Sequence, residues 1–327
     1  MPLLDVDRLT TAFPIDGRLV PAVSAASFSL DAGETLALVG ESGCGKSLTA
    51  LSILRLVDPP GCIVGGAVRL DGRDLLTLDE RAMRAVRGRQ IGLVLQEPMT
   101  ALNPVYTVGS QIAEALEVHG LARGKVARAR AIELLDAVRV PDPQRRADEY
   151  PHQLSGGLRQ RALIAAALAC QPRLLIADEP TTALDVTVQG QILDLLRDLK
   201  TRFDLALLLI THDLGVVAQQ ADRVAVMYAG RIVEEAPVRT LFRTPQHPYT
   251  RGLLASLPGP HGTRLRAIEG TVPRLGQIPS GCAFAPRCQD RFEPCGELPA
   301  LVPGAQGGQP VRCFLHHDIR EGAAAAV

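Results

Sequence analysis

Eight consecutive residues, Gly40-Glu41-Ser42-Gly43-Cys44-Gly45-Lys46-Ser47, carry the sharpest chemical signal in the chain. They fit G-x-x-x-x-G-K-[ST] and join an apolar run, Thr35–Val39, that reads as a strand to a periodic stretch, Ser47–Leu56, that reads as a helix. In that setting the backbone N–H groups of the loop and of the helix start, through Leu48, point at phosphate oxygens. Lys46 supplies a cation to the β- and γ-phosphates, and Ser47 offers a hydroxyl to Mg²⁺. A chain of this composition would produce such a match by chance roughly 0.002 times. Lysine is scarce: Lys46, Lys125 and Lys200 are the only ones among 35 basic residues, so a lysine at this position is not filler. The thiol of Cys44, set near a helix N-terminus, is expected to favour the thiolate and to react with thiol reagents unless nucleotide protects it.

A second stretch, Arg173-Leu-Leu-Ile-Ala-Asp178-Glu179-Pro180, ends an apolar strand in two adjacent carboxylates. Neighbouring strand residues face opposite ways, so one carboxylate can serve a Mg²⁺ shell while the other polarises a water. Asp178 follows Lys46 by 132 residues, a longer gap than small kinases and GTPases use, and the inserted residues form a helical block. Inside that block, Leu154-Ser155-Gly156-Gly157-Leu158-Arg159-Gln160-Arg161 opens a helix with a free hydroxyl and two glycines. That is a second anion-facing helix start, and two on one chain point to a nucleotide held between two subunits.

The elements needed to position these residues are legible. Strands and a hairpin turn at Asp16-Gly17 occupy 3–39, Ile63–Leu70 and Ile91–Leu95 read as strands, and Asp79–Val86 reads as a short helix. Val108–His119 and Lys125–Val138 have helical periodicity; strands Leu174–Ala177, Leu205–Ile210 and Val224–Met227 then alternate with helices Val188–Arg202 and Leu214–Gln219. Alternation of this kind builds an α/β fold on a parallel sheet. Beyond about residue 236 the chain becomes rich in Pro, Gly and Cys, and a small loop-rich module without a core of its own is expected.

Composition narrows the setting. The 327 residues are 46% hydrophobic and 21% charged, and 35 basic residues balance 35 acidic ones, so no general nucleic-acid footprint is present. No signal peptide is expected from the first residues, and no apolar run approaches the ~20 residues of a membrane span. Four of the seven cysteines, Cys282, Cys288, Cys295 and Cys313, crowd the C-terminal region with spacing C-x5-C-x6-C-x17-C. In a cytoplasmic chain such thiols are metal ligands by default; free thiols are the alternative.

Taken together, these motifs resemble the ATP-binding cassette (ABC) ATPases, over roughly residues 3–236. The eight-residue loop resembles the Walker A motif, Leu154–Leu158 the signature motif, and Leu174–Glu179 Walker B. The resemblance implies an α/β P-loop NTPase with a parallel core sheet, an antiparallel β subdomain and a helical subdomain over about 97–171. It also implies that Glu179 is the catalytic carboxylate, Gln96 the Q-loop glutamine, His212 the switch histidine and Ala183-Leu184-Asp185 the D-loop. Phe13 is implied as the ring that stacks on adenine, and Ser47, Gln96 and Asp178 as the Mg²⁺ residues. Ser155, Gly156, Gly157 and Asp185 would complete the ATP site of a second subunit.

Three stretches are similar to the dipeptide/oligopeptide/nickel importer branch: Gln96-Glu-Pro-Met-Thr-Ala-Leu-Asn-Pro104, Thr181-Thr-Ala-Leu-Asp-Val-Thr187 and Pro245-Gln-His-Pro-Tyr-Thr250. That branch implies a C-terminal module over 237–327 and a 4Fe–4S cluster on the four cysteines, with zinc as the alternative. It further implies a second ATPase subunit, identical or paralogous, two transmembrane permease subunits docked around Gln96–Tyr106, and an indirect extracytoplasmic solute-binding protein. The place so implied is peripheral, at the cytoplasmic face of the inner membrane, with no nucleic-acid partner. Peptide, glutathione-like molecule and nickel chelate all remain open as cargo. A soluble ABC ATPase acting on nucleic acid or ribosomes, and a redox- or metal-sensing ATPase, are the rival readings. Because the implied nucleotide ligands all precede residue 213, loss of the cysteine site is expected to leave ATP binding intact.

Overall fold

The structure, a computed structural model, describes residues 1–96, 101–182, 184–257, 268–304 and 308–317. Its strands are β1 (Leu4–Ile15), β2 (Arg18–Leu30), β3 (Thr35–Val39), β4 (Cys62–Leu70), β5 (Arg73–Asp74), β6 (Ile91–Val94), β7 (Leu174–Asp178), β8 (Ala206–Thr211), β9 (Arg223–Tyr228), β10 (Arg231–Pro237), β11 (Val302–Pro303) and β12 (Pro310–Val311). Its helices are α1 (Lys46–Ile53), α2 (Glu80–Val86), α3 (Val108–Val118), α4 (Gly124–Ala137), α5 (Pro143–Ala147), α6 (Gly156–Leu168), α7 (Val186–Phe203), α8 (Leu214–Gln220), α9 (Val238–Arg243) and α10 (Pro248–Ala255). The chain forms two compact units: Met1–Asp5, Ser29–Thr35 and Arg69–Thr211, and Val6–Phe28, Leu36–Val68 and His212–Val327.

In the first unit β6, β7 and β8 are parallel neighbours, with Ile91 opposite Leu174 and Leu174 opposite Ala206. Every residue of β7 is buried, as a central strand covered on both faces requires. Helices α3, α4 and α6 pack on one another, and α6 lies against β6 so closely that a Cβ at Gly92 would stand 2.5 Å from the Ala167 carbonyl oxygen. Helices α2, α3, α6 and α7 start where short polar side chains satisfy free N–H groups: Asp79, Thr107, Ser155 and Asp185 respectively.

In the second unit β1 and β2 form a long hairpin turned at Asp16-Gly17, whose φ angles of 48° and 75° are both left-handed, as a tight hairpin turn needs. Strand β9 runs parallel to β3, with Val39 opposite Val226, and β10 returns antiparallel to β9. The chain beyond residue 236 does more than loop: it forms α9 and α10, and β12 pairs antiparallel with β10 at Glu234 and Val311. These residues share a core with the rest of the second unit. Leu241, Tyr249 and Phe284 are buried in the same cluster as Val39, Val217, Val226 and Tyr228. Apolar side chains spaced irregularly among prolines and glycines give no periodic signal, so this burial was invisible in the sequence.

Candidate functional site

The phosphate loop lies in the second unit, between β3 and α1. Its glycines are sterically required: a Cβ at Gly40 would come within 2.2 Å of the Met227 carbonyl oxygen, and Gly45, at φ 107°, is the N-cap of α1. Lys46 is buried and folded back on the loop, its Nζ donating to the carbonyls of Gly40 at 2.9 Å and Glu41 at 3.1 Å. Ser42 and Gly43 are exposed; Ser47 and Leu48 are half-buried at the start of α1. Phe13 is half-buried, with its ring edge where a Cβ on Gly61 would clash at 2.6 Å.

Cys44 departs from expectation. Its side chain is buried, and that burial pushes the thiol pKa up; the nearby Lys46 cation lowers it by less. The thiol, not the thiolate, is the favoured form, because desolvation outweighs the neighbouring charge.

The acidic pair lies in the first unit. Asp178 is the last residue of β7 and is buried, whereas Glu179 has left the strand with a left-handed φ of 45°. The two carboxylates diverge through this backbone turn rather than through strand alternation alone. The Glu179 carboxylate accepts from Gln96 Nε2 at 3.0 Å and from Thr182 Oγ1 at 2.9 Å, both on Oε2. Glu179 stands out in the sequence and Gln96 was implied by the family resemblance; Thr182, three residues after Glu179 and within the Thr181–Thr187 stretch, was missed because it carries no signal of its own.

Ser155 caps α6, accepting from Leu158 N–H at 3.4 Å, and both Ser155 and Gly156 are exposed. This helix start sits beside the residues that lead into α7: a Cβ on Gly156 would touch Leu184, and one on Gly157 would lie 2.8 Å from a Val188 methyl. Asp185 is exposed and caps α7 through Val188 N–H at 2.9 Å. His212, in the second unit, is exposed immediately after β8. Residues 97–100 of the proposed docking stretch and Ala183 of the D-loop match lie outside the described residues.

The four C-terminal cysteines are free thiols, with Cys295 and Cys313 buried and Cys282 and Cys288 half-buried. Burial raises the pKa of Cys282 and Cys288, and of Cys313 to about 11; Cys282, Cys288 and Cys295 push Cys313 further up. The four are thus gathered within electrostatic reach of one another, and Cys282 N–H donates to the Cys295 carbonyl at 3.1 Å. Among the described residues, however, no three Cys, His, Asp or Glu side chains are arranged closely enough to hold a metal ion. The donor set, four thiols on one segment, fits an iron–sulfur or zinc group in kind.

Two further residues touch the phosphate loop and were not singled out from sequence: Tyr249 and Arg287, both of which contact Glu41. Tyr249 belongs to the Pro245–Thr250 stretch and Arg287 lies between Cys282 and Cys288, but nothing local ties either to a loop more than 200 residues earlier.

A glycine-rich loop between a strand and a helix, with a buried acid ending a parallel strand, defines a P-loop NTPase. Residues 23–182 match the family described as ABC transporter, and 233–295 match the oligopeptide/dipeptide transporter C-terminal region. The chain belongs to the ABC transporter ATP-binding family, and it is an ATPase. It is 54% identical over 332 residues to a Brucella melitensis protein named as a putative peptide import ATP-binding protein, covering 97% of this chain and 98% of that one. It is 49% identical over 324 residues to the Bacillus subtilis oligopeptide transport ATP-binding protein AppD, covering 98% of each. The dimeric ATP-binding cassette MJ0796, solved in a post-hydrolysis state with ADP and Pi, superposes with a TM-score of 0.65 at 28% identity, over 72% of this chain and 99% of that one. Among the described residues no helix is long and apolar enough to cross a membrane.

Proposed function

We propose that this chain powers import of peptides through a membrane permease, as the ATP-hydrolysing subunit of a peripheral complex at the cytoplasmic face of the membrane. The C-terminal region matched at 233–295, joined to a complete set of cassette motifs, carries this assignment over the soluble and sensing alternatives. Two ATPase subunits, two permease subunits and an extracytoplasmic solute-binding protein are the proposed assembly. Residues 1–236 are proposed as the nucleotide-binding domain and 237–327 as the C-terminal module.

Each residue's role follows from its chemistry. Lys46 leaves the Gly40 and Glu41 carbonyls and turns to the ATP phosphates, while the N–H groups from Gly43 to Leu48 bind phosphate oxygens. Phe13 stacks on adenine. Ser47, Gln96 and Asp178 are the residues proposed to hold Mg²⁺, which neutralises phosphate charge when bound. Glu179 orients and deprotonates the attacking water, and His212 contacts the γ-phosphate. Ser155, Gly156, Gly157 and Asp185 face the ATP of a partner subunit.

A 4Fe–4S cluster is the proposed occupant of Cys282, Cys288, Cys295 and Cys313. Burial makes Cys282, Cys288 and Cys313 poor anions on their own, and a cationic group would stabilise their thiolates and staple the surrounding loops.

Uptake of labelled di-, tri- and oligopeptides by cells lacking the gene, complemented with wild type or with Lys46→Ala, tests the assignment. Restored uptake with wild type alone is expected. Unchanged peptide uptake in the deletion strain, with another solute lost instead, would overturn it.

A further inference from the structure

Glu41, the second residue of the phosphate loop, is gripped by residues that lie far beyond it in sequence. Its backbone N–H donates to the Tyr249 hydroxyl at 2.9 Å. Its carboxylate receives both terminal nitrogens of Arg287, Nη1 to Oε2 at 2.6 Å and Nη2 to Oε1 at 3.0 Å. The guanidinium is enclosed, with 5% of the Arg287 side chain exposed. Its Nε donates to the Glu269 carbonyl at 2.8 Å and Nη2 to the Gly270 carbonyl at 3.2 Å, and it lies over the Tyr228 and Phe284 rings at 5.9 and 6.0 Å. A planar fork held on so many sides has one orientation, and a lysine cannot reproduce it.

The grip extends to Lys46. Glu41 presents its carbonyl to Lys46 Nζ at 3.1 Å, so Arg287, Glu41 and Lys46 form a continuous chain of contacts. The next two loop residues, Ser42 and Gly43, are exposed and bring no burial of their own to hold the loop. Arg287 itself sits on a 3-10 turn over 285–287, directly before Cys288, closed by Ala285 N–H to the Cys282 carbonyl and Arg287 N–H to the Phe284 carbonyl.

We propose that Arg287 and Tyr249 are positioning residues for the phosphate loop, so that the cysteine-bearing segment sets the loop's affinity for nucleotide. The proposal rests on the assignment of residues 40–47 as the ATP-binding loop. A loop pre-set by two anchors loses less freedom when phosphate binds; a released loop is competent for only part of the time, and its apparent affinity falls by that fraction. This runs against the expectation that ATP binding is independent of everything after residue 213.

The test is equilibrium binding of a fluorescent ATP analogue to the full chain, with steady-state ATPase kinetics and melting curves alongside. Arg287→Gln should weaken binding about tenfold, the scale set by one charge-assisted contact. It should raise KM for ATP while kcat changes little, and Arg287→Lys should not rescue it. Glu41→Gln should have a similar effect, and the double variant should be no worse than either single one, because one contact is being removed twice. Tyr249→Phe keeps the buried ring and removes only the acceptor, so it tests the second anchor even if Arg287→Gln fails to fold. Wild-type affinity in Tyr249→Phe and in a folded Arg287→Gln would overturn the proposal. Lys46→Ala separates the two levels: if it too binds normally, the loop assignment fails, whereas its loss beside normal anchor variants sinks only the anchors.

Discussion

Gln96 Nε2 and Glu179 Oε2 are joined by a 3.0 Å hydrogen bond across 83 residues of sequence. The same oxygen accepts the Thr182 hydroxyl at 2.9 Å, so two neutral donors engage the oxygen of the proposed base before any water does. Gln96 opens the stretch proposed to face the permease. Movement there would change the hydrogen bonding of Glu179, which would give the proposed permease a physical handle on the proposed water activation.

Glu179→Gln is expected to retain ATP binding and lose turnover by at least about 100-fold, the usual contribution of a positioned base. The loop amides and Lys46 hold phosphate without it. Nucleotide binding and phosphate release, measured on one preparation, check this; turnover within a few-fold of wild type would reassign the base.

Thiol labelling should discriminate Cys62 from Cys44. Cys62 is exposed, whereas Cys44 is buried and its thiol is held protonated by desolvation. Brief alkylation at neutral pH followed by mass spectrometry should find Cys62 modified first and Cys44 spared, with or without ATP. Rapid, ATP-protected modification of Cys44 would show that the loop opens far more than its packing implies.

Acid should destabilise the C-terminal region through His247. This ring is buried, accepts Tyr249 N–H on Nδ1 at 3.0 Å, and has its pKa pushed from 6.5 to about 3, chiefly by burial and further by the charges of Arg251, His316 and Arg312. The buried carboxylate of Glu234 accepts its backbone N–H at 2.9 Å. The folded pKa lies below the unfolded one, so the stabilisation is complete above pH ~6.5 and is lost as pH falls towards 3. The slope is about 1.4 kcal/mol per pH unit. Urea midpoints at several pH values should show a shallower dependence in His247→Asn, which keeps a capping acceptor; parallel curves for the two proteins would exclude His247 as the origin.

Protein purified without oxygen should be brown, absorb broadly near 400 nm and contain about four irons per chain. Cys288→Ser should remove the colour, loosen residues from about 279 onward and, through Arg287, weaken ATP binding. A colourless anaerobic preparation with one zinc per chain would replace the cluster with a structural zinc site.

Much of this molecule is written locally. The strand, loop and helix around Gly40–Ser47 follow from apolar spacing and from glycines that alone fit the backbone there. The starts of α2, α6 and α7 follow from Asp79, Ser155 and Asp185, because a cap is satisfied within three residues of itself. The fold class and the family motifs are legible in the amino-acid sequence for that reason. Tertiary structure alone decided the rest. Glu179 turns out of its strand to meet Gln96, Cys44 is buried deeply enough to reverse its expected chemistry, and Tyr249 and Arg287 reach Glu41 across 208 and 246 residues. These outcomes depend on which apolar faces bury together and which polar groups are then left to satisfy one another, and no spacing along a single segment records that.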